Sequence, residues 1–290
     1  MSVDTVAVTG GNGRIGEAIL AELADDYRTA NLARGKRREE VSDAYLTTDL
    51  TDAGEVYGSL ARSGADAVVH MGTIPSPVNH PGYVTYESNV ASAYHVLEAA
   101  TELGLAAVVL PSSVNAMGAI FQDAPMEVAY LPVDEAHPLT PRDPYGVAKH
   151  AMEVTADGFG RLPDAPRIAS LRYPWVRGEE TLRDLAEEDR TADGVDVAGN
   201  PKRDELYTYL HLADAARAAR AAVEATFDGH EVFWTVAADT TLEVPSVEVA
   251  AEAYPDAEVR GPLEGYDSLV TTAKAETMLG WTPEHSWREL

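Results

Sequence analysis

A β-rich run from Val3 to Val8 passes through Thr9-Gly10-Gly11-Asn12-Gly13-Arg14-Ile15-Gly16 into a segment with helical periodicity at Ile15, Ile19, Leu20 and Leu23. This glycine-rich join constrains the fold more than any other feature of the chain. Small residues allow a tight strand-to-helix turn and let a phosphate approach the backbone. The unbonded N–H groups and the dipole at the helix start then favour an anion. The spacing reads as G-x-x-G-x-x-G through Gly10, Gly13 and Gly16, or as G-x-G-x-x-G through Gly11, Gly13 and Gly16. In a strand–turn–helix setting either spacing suits a dinucleotide pyrophosphate. Strand–helix alternation continues to about residue 171, so the expected class is α/β, a doubly wound parallel sheet with right-handed crossovers. Further strands are expected at 30–33, 44–47, 65–70, 106–110 and 167–171, and helices at 86–103, 145–159 and 212–225.

The second strand should end near Ala33. A carboxylate there would accept hydrogen bonds from the adenosine ribose and repel a 2′-phosphate. The chain instead follows Ala33 with Arg34, Lys36, Arg37 and Arg38, four of its 22 basic residues against 48 acids. Arg34 or its neighbours would clamp a phosphate, which favours NADP over NAD; a solvated basic loop is the alternative. Asp49, in Asp49-Leu50-Thr51-Asp52 after the third strand, is expected near the adenine.

The strand at 106–110 runs into Pro111-Ser112-Ser113, and ligands of open α/β sheets sit at the carboxyl ends of the strands. Tyr145 and Lys149 follow as i and i+4 on a helix that opens after Pro141 and Pro144. A tyrosine with its ordinary pKa of about 10 is a poor base at neutral pH. A nearby ammonium and a nicotinamide cation favour the phenolate. Tyr145 would then exchange a proton with a substrate hydroxyl while hydride moves to or from the nicotinamide. Lys149 would also hold the nicotinamide ribose, and Ser113 would orient the substrate oxygen. A Tyr-x-x-x-Lys pair alone is an ordinary helix pair; the glycine loop, strand-end serine and Tyr–Lys pair in that order carry the reading.

In this combination the chain resembles an extended short-chain dehydrogenase/reductase of the NAD-dependent epimerase/dehydratase family, from Val3 to Trp281. The resemblance implies a Rossmann-type doubly wound parallel sheet with a smaller C-terminal substrate-binding lobe. The dinucleotide domain would span 1–171, with 204–228 returning to it. The lobe would comprise 172–203 and 229–290, with Glu231–Val236 as one of its strands. Ser113, Tyr145 and Lys149 become the catalytic triad; Ser113 lies five before Gly118, where Ala116-Met117-Gly118 replaces the family's V-Y-G. Implied cofactor contacts are Gly10, Gly13, Arg14, Ile15, Gly16, Ala33, Arg34, Asp49, Leu50, Gly72, Tyr145, Lys149, Tyr173 and Pro174. Asn89 is implied as a helix residue facing the site. The helices at 86–103 and 145–159 are expected to pair in a homodimer.

Departures from the family bear on substrate. Trp175, in Leu171-Arg172-Tyr173-Pro174-Trp175-Val176-Arg177-Gly178, stands where nucleotide-sugar epimerases have asparagine, and Tyr207 where they carry a diphosphate-gripping arginine. Losing both handles argues for a sugar or sugar-acid dehydrogenase, although Arg172, Arg177 or Arg203 are available as replacements. A nucleotide-sugar epimerase or dehydratase with tightly held NAD is the alternative, and a non-catalytic dinucleotide sensor a remote one. Substrate contacts are expected from Ser76, Asn89, Ser113, Asn115 and Trp175, with His80 nearby; Trp175 would stack on a sugar ring or pack in the core. His70 and His211 read as structural histidines.

Composition excludes other chemistries. The absence of cysteine removes disulfides and thiolate catalysis, and the scattered histidines predict no metal. No apolar run reaches a membrane span and no signal-like segment precedes the first strand, so a soluble, cytoplasmic protein is expected. The net charge of −26, with lysine only at 36, 149, 202 and 274, resembles cytosolic proteins of salt-loving archaea. Such a surface makes nucleic acid and anionic membranes implausible partners and a small molecule the expected one.

Overall fold

The computed structural model describes residues 3–123, 125–187, 190–191, 194 and 196–290. In chain order its elements are β1 (Thr5–Thr9), α1 (Arg14–Leu23), β2 (Arg28–Ala33), β3 (Ala44–Thr47), α2 (Ala53–Ser63), β4 (Ala67–His70), α3 (Gly82–Leu103), β5 (Ala107–Ser113), β6 (Tyr130–Leu131) and α4 (Pro144–Gly160). There follow β7 (Arg167–Tyr173), β8 (Trp175–Arg177), α5 (Glu179–Glu187), β9 (Tyr209–His211), α6 (Leu212–Glu224), β10 (His230–Trp234), α7 (Ser246–Ala253), β11 (Glu258–Val259) and α8 (Ala273–Leu279). Glu188 and Asp189, part of an acidic cluster in the sequence, lie outside the described residues.

Seven strands form one parallel sheet in the order β3-β2-β1-β4-β5-β7-β10. Alternation along β1 sends Val6 and Val8 to the face covered by α1 and α6, where they meet Ile19, Leu20, Leu23 and Ala219. Ala7 points to the other face, with Val56, Leu60, Val96 and Leu97 of α2 and α3. A sheet covered on both faces explains why its strands read as apolar runs rather than alternating ones. Each such leucine or isoleucine contributes about 1.5–3 kcal/mol on burial.

Local signals set the helix ends. Asp52 caps α2 by accepting from the Glu55 amide at 2.9 Å. Asp143 caps α4 by accepting from the Tyr145 and Gly146 amides, both at 2.9 Å, which fixes the start of the helix carrying Tyr145 and Lys149. The helices α3 and α4 pack side by side, and a Cβ on Gly82 would lie 2.6 Å from Pro144 Cγ. Only glycine allows that approach.

Two strand expectations change. The strand placed in the smaller lobe at 231–236 is β10, an edge strand of the main sheet paired in parallel with β7 from His230↔Ile168 to Trp234↔Arg172. The short link after α6 delivers the chain to the open edge of β7, where the Ile168 amide donates to Gly229 O at 2.9 Å. The sheet also extends through Ser112 and Ser113, which pair with Arg172 and Tyr173. A separate ribbon of β8 and β9 carries Trp175 and Arg177 beyond the sheet's carboxyl edge. Among the described residues no helix is long and apolar enough to cross a membrane.

Candidate active site

At the carboxyl ends of β1, β2, β4, β5 and β7 lies a cleft of about 1040 Å³, lined from Arg34 and Arg38 at one end to Trp175 and Lys202 at the other. Its position is the topological switch between β1 and β4.

The glycine loop forms one wall. Gly10, Gly13 and Gly16 line the cleft and Gly11 does not, so the G-x-x-G-x-x-G spacing is the one that faces it. A Cβ on Gly11 would meet Asn31 and Leu20; one on Gly16 would come 2.5 Å from Gly10 O. Gly10 adopts φ +68° and approaches Gly72 so closely that its Cβ would lie 2.7 Å from Gly72 Cα. Gly13 begins α1 without a side-chain cap, leaving first-turn N–H groups for an anion. The loop therefore fits a dinucleotide pyrophosphate, on the geometry of its own backbone.

At the end where adenosine is expected, Ala33, Arg34, Arg38, Asp49 and Leu50 line the cleft. Asp49 accepts from the Thr51 amide at 3.0 Å and its hydroxyl at 2.8 Å, and these bonds hold its carboxyl below the usual range. The basic loop does not act as a whole. Arg37 folds back onto its own loop, with Nε donating to Glu39 O at 2.7 Å, and Asn12 takes the Lys36 carbonyl. Burial would raise the Glu39 carboxyl. Hydrogen bonds from Asn31 and from the Ser42 amide and hydroxyl outweigh it, with help from Arg37, and hold it at about 2. This buried anchor ties the loop down and leaves Arg34 and Arg38 in the cleft.

At the other end Ser113, Tyr145 and Lys149 meet. Ser113 Oγ accepts from Asn115 Nδ2 at 3.1 Å and sits close enough to Tyr145 to act on its phenol. Phe121 packs edge-on against Tyr145 with centroids 5.7 Å apart. Burial pushes the Tyr145 phenol up to about 12, against the Ser113 hydroxyl, which lowers it. Lys149 Nζ donates to Pro111 O at 2.5 Å and Thr73 Oγ1 at 3.3 Å, and lies 5.4 Å from the Tyr145 ring centroid. Burial pulls its ammonium down to about 7, opposed by the charge of Glu153. Ser112 points away, donating to Glu153 Oε1 at 2.5 Å. Glu153 is also held by Arg172 through Nε at 2.9 Å and Nη2 at 2.8 Å.

Ser76, Asn115, Tyr173, Pro174 and Trp175 line the cleft as expected, whereas His80 is exposed and lies off it. Asn89 is a correction. It is fully buried, and its amide bonds both backbone groups of Ile74, Oδ1 accepting from N at 2.7 Å and Nδ2 donating to O at 2.9 Å. Spent on that loop's backbone, fully buried and off the cleft lining, Asn89 does not face a substrate. His70 is fully buried between Thr9 Oγ1 at 2.8 Å and Ser92 Oγ at 3.3 Å. Burial and the Lys149 charge keep it neutral, with its pKa near 3. His211 caps α6 and stacks on His285. Sequence reasoning missed Thr73, Phe121, Lys202 and Glu205 in the lining. Lysine is so scarce in this chain that Lys202 was the one with a signal.

The model of the NAD dependent epimerase/dehydratase family matches residues 6–234. The chain belongs to that family. It is accordingly an enzyme of the extended short-chain dehydrogenase/reductase type, working with a nicotinamide dinucleotide and hydride transfer. It is similar to a UDP-glucose 4-epimerase of Rhizobium leguminosarum bv. trifolii, 27% identical over all of this chain and 96% of that protein. An NAD-dependent glucose-6-phosphate dehydrogenase of Haloferax volcanii is 29% identical over 51% of this chain and 60% of its own length. The fold matches that of a GalE-like L-threonine dehydrogenase from Cupriavidus necator, with TM-score 0.72, 21% identity and coverage of 98% and 96%. Among the described residues no three His, Asp or Glu side chains gather as a metal site.

Proposed function

We propose that this family member is an NADP-preferring dehydrogenase of a sugar or closely related hydroxy compound. The observation carrying the reading is the state of the groups that would grip a nucleotide diphosphate. Tyr207, in place of the arginine, is fully buried with its hydroxyl on Val197 O. Arg172 is locked to Glu153, and Arg203 Nε donates to Ala253 O at 2.8 Å, so of the three replacement arginines only Arg177 lines the cleft. The room for substrate beside Tyr145 is therefore bounded by Ser76, Asn115 and Trp175.

The nicotinamide, when bound, supplies the hydride acceptor or donor. The first-turn amides of α1 hold the pyrophosphate. Arg34 and Arg38 supply charge for a 2′-phosphate, at a strand end where Ala33 offers no carboxylate to oppose it. Ser113 orients the substrate oxygen, Tyr145 exchanges its proton, and Lys149 holds the ribose and adds positive charge. The exposed Tyr83, Tyr86 and Tyr94 of α3 and Val147 and Val154 of α4 support a homodimer through these helices. The acidic composition supports work in molar salt in the cytoplasm.

The epimerase reading is the second, favoured by the full-length similarity to the Rhizobium enzyme. Titrating cofactor-free protein with NADP and NAD in molar KCl, then assaying a sugar panel, separates the two. Reversible NADP binding tighter than NAD, with NADPH accumulating, is the expected result. NAD that co-purifies and cannot be stripped, with no net reduced cofactor, would favour the epimerase. A shift toward NAD in Ala33→Asp/Arg34→Ser tests the basic loop separately.

A further inference from the structure

The cleft end beyond Tyr145 is cationic in a chain whose net charge is −26. Arg14 Nη2 and Arg177 Nη1 both donate to one acceptor, the Val176 carbonyl, at 3.0 and 2.7 Å. Two guanidinium groups are thus drawn to the same point. Among the described residues neither has a carboxylate partner. Glu205, whose charge reaches Arg177, is engaged by Lys202 Nζ at 2.5 Å. Two cations gather at the Trp175 ring, Arg177 Cζ at 4.3 Å and Lys202 Nζ at 4.1 Å from its centroid. Like charges held this close in a partly desolvated cleft oppose one another unless an anion joins them.

We propose that Arg177, supported by Arg14 and Lys202, is a receptor for an oxyanion carried by the sugar itself, a carboxylate or a phosphate monoester, with Trp175 as the platform beside it. The assignment rests on the dehydrogenase reading above and names its substrate class. A planar guanidinium suits both oxyanions, because each offers two oxygens in one plane for paired N–H donors. The alternative source of the same chemistry is the cofactor pyrophosphate, since Arg14 opens α1. Arg177 shares the Val176 carbonyl with Arg14 but also stacks on the Trp175 ring, and that second contact favours the sugar.

The test is calorimetry on the whole chain saturated with NADP, at the lowest KCl that keeps it folded, because salt screens the contact. Hexuronates, hexose 6-phosphates, the matching neutral hexoses and UDP are the probes, for wild type and Arg177→Gln; NADP is titrated into each protein separately. The expected result is that one anionic class binds at least about tenfold tighter than its neutral hexose, and that Arg177→Gln removes the preference. NADP affinity should stay within about twofold. Whether uronates or phosphates bind decides between the two oxyanions. Equal binding of charged and neutral sugars, or of none, overturns the receptor. So does a variant that loses NADP affinity and keeps its sugar preference, which would assign the pair to the pyrophosphate. Tight UDP binding that Arg177→Gln abolishes would assign it to a nucleotide diphosphate. Discrimination without any NADPH formation would sink the dehydrogenase reading and leave the receptor standing; NADPH from charged and neutral sugars alike would do the reverse.

Discussion

Replacing Lys149 with methionine is expected to stabilise the fold while removing catalysis, and the gain should depend on pH in a calculable way. Lys149 is 1% exposed, and burial lowers its ammonium from 10.5 to about 7. Between those values the unfolded chain binds more protons than the folded one, so the wild type gains stability as pH rises through that window. Below pH 6 the full penalty of about 5 kcal/mol applies, falling to about 4 kcal/mol at pH 7 and about 2 kcal/mol at pH 9. Methionine has similar length and no charge, so it escapes the penalty, at the cost of the bonds to Pro111 O and Thr73 Oγ1. Each of those bonds contributes about 1 kcal/mol. The net expectation is a variant more stable by about 2–3 kcal/mol at pH 7 and no more stable than wild type at pH 9. Urea unfolding of both proteins at pH 6, 7, 8 and 9 in constant KCl measures it. A stability difference that does not shrink as pH rises would refute the reasoning, because packing alone carries no such dependence.

Other substitutions probe separate parts of the site. Tyr145→Phe should lower kcat by about 10²–10⁴ while leaving the calorimetric NADP affinity unchanged, since it removes only the proton-exchanging oxygen. Glu153→Gln leaves the Arg172 guanidinium buried without its counter-charge, and should reduce stability by about 3–5 kcal/mol in urea unfolding. Gly16→Ala puts a Cβ 2.5 Å from Gly10 O, so the loop must open. NADP affinity should fall about tenfold or more by calorimetry, with far-ultraviolet circular dichroism unchanged.

Much of the cofactor half was legible because its signals are local. The loop at 9–16 and the apolar runs of β1, β4 and β5 each occupy a few adjacent residues, and every one is found where expected. What escaped depends on partners far along the chain. β10 has a strand pattern, but only the open edge of β7, some sixty residues earlier, decides that it joins the main sheet. Asn89 has the helix position of a site residue, and the backbone of Ile74 claims its amide first. Lys202 meets Trp175 only because the turn at Pro201–Glu205 folds over the β8–β9 ribbon.

The same distinction explains the electrostatics of Tyr145 and Lys149. Their i, i+4 spacing suggested an ammonium that assists a phenolate, yet burial drives both toward neutrality, Tyr145 up to about 12 and Lys149 down to about 7. Glu153, one further turn along α4, opposes that drift at Lys149. Arg172 holds it in the interior through two hydrogen bonds and Ser112 through a third. The positive charge that the proposed chemistry asks for beside Tyr145 is therefore favoured from behind, by a buried chain of Ser112, Glu153 and Arg172 contributed by β5, α4 and β7. A Tyr-x-x-x-Lys motif states the spacing of the reacting pair; the charge on its lysine is set by the strands underneath it.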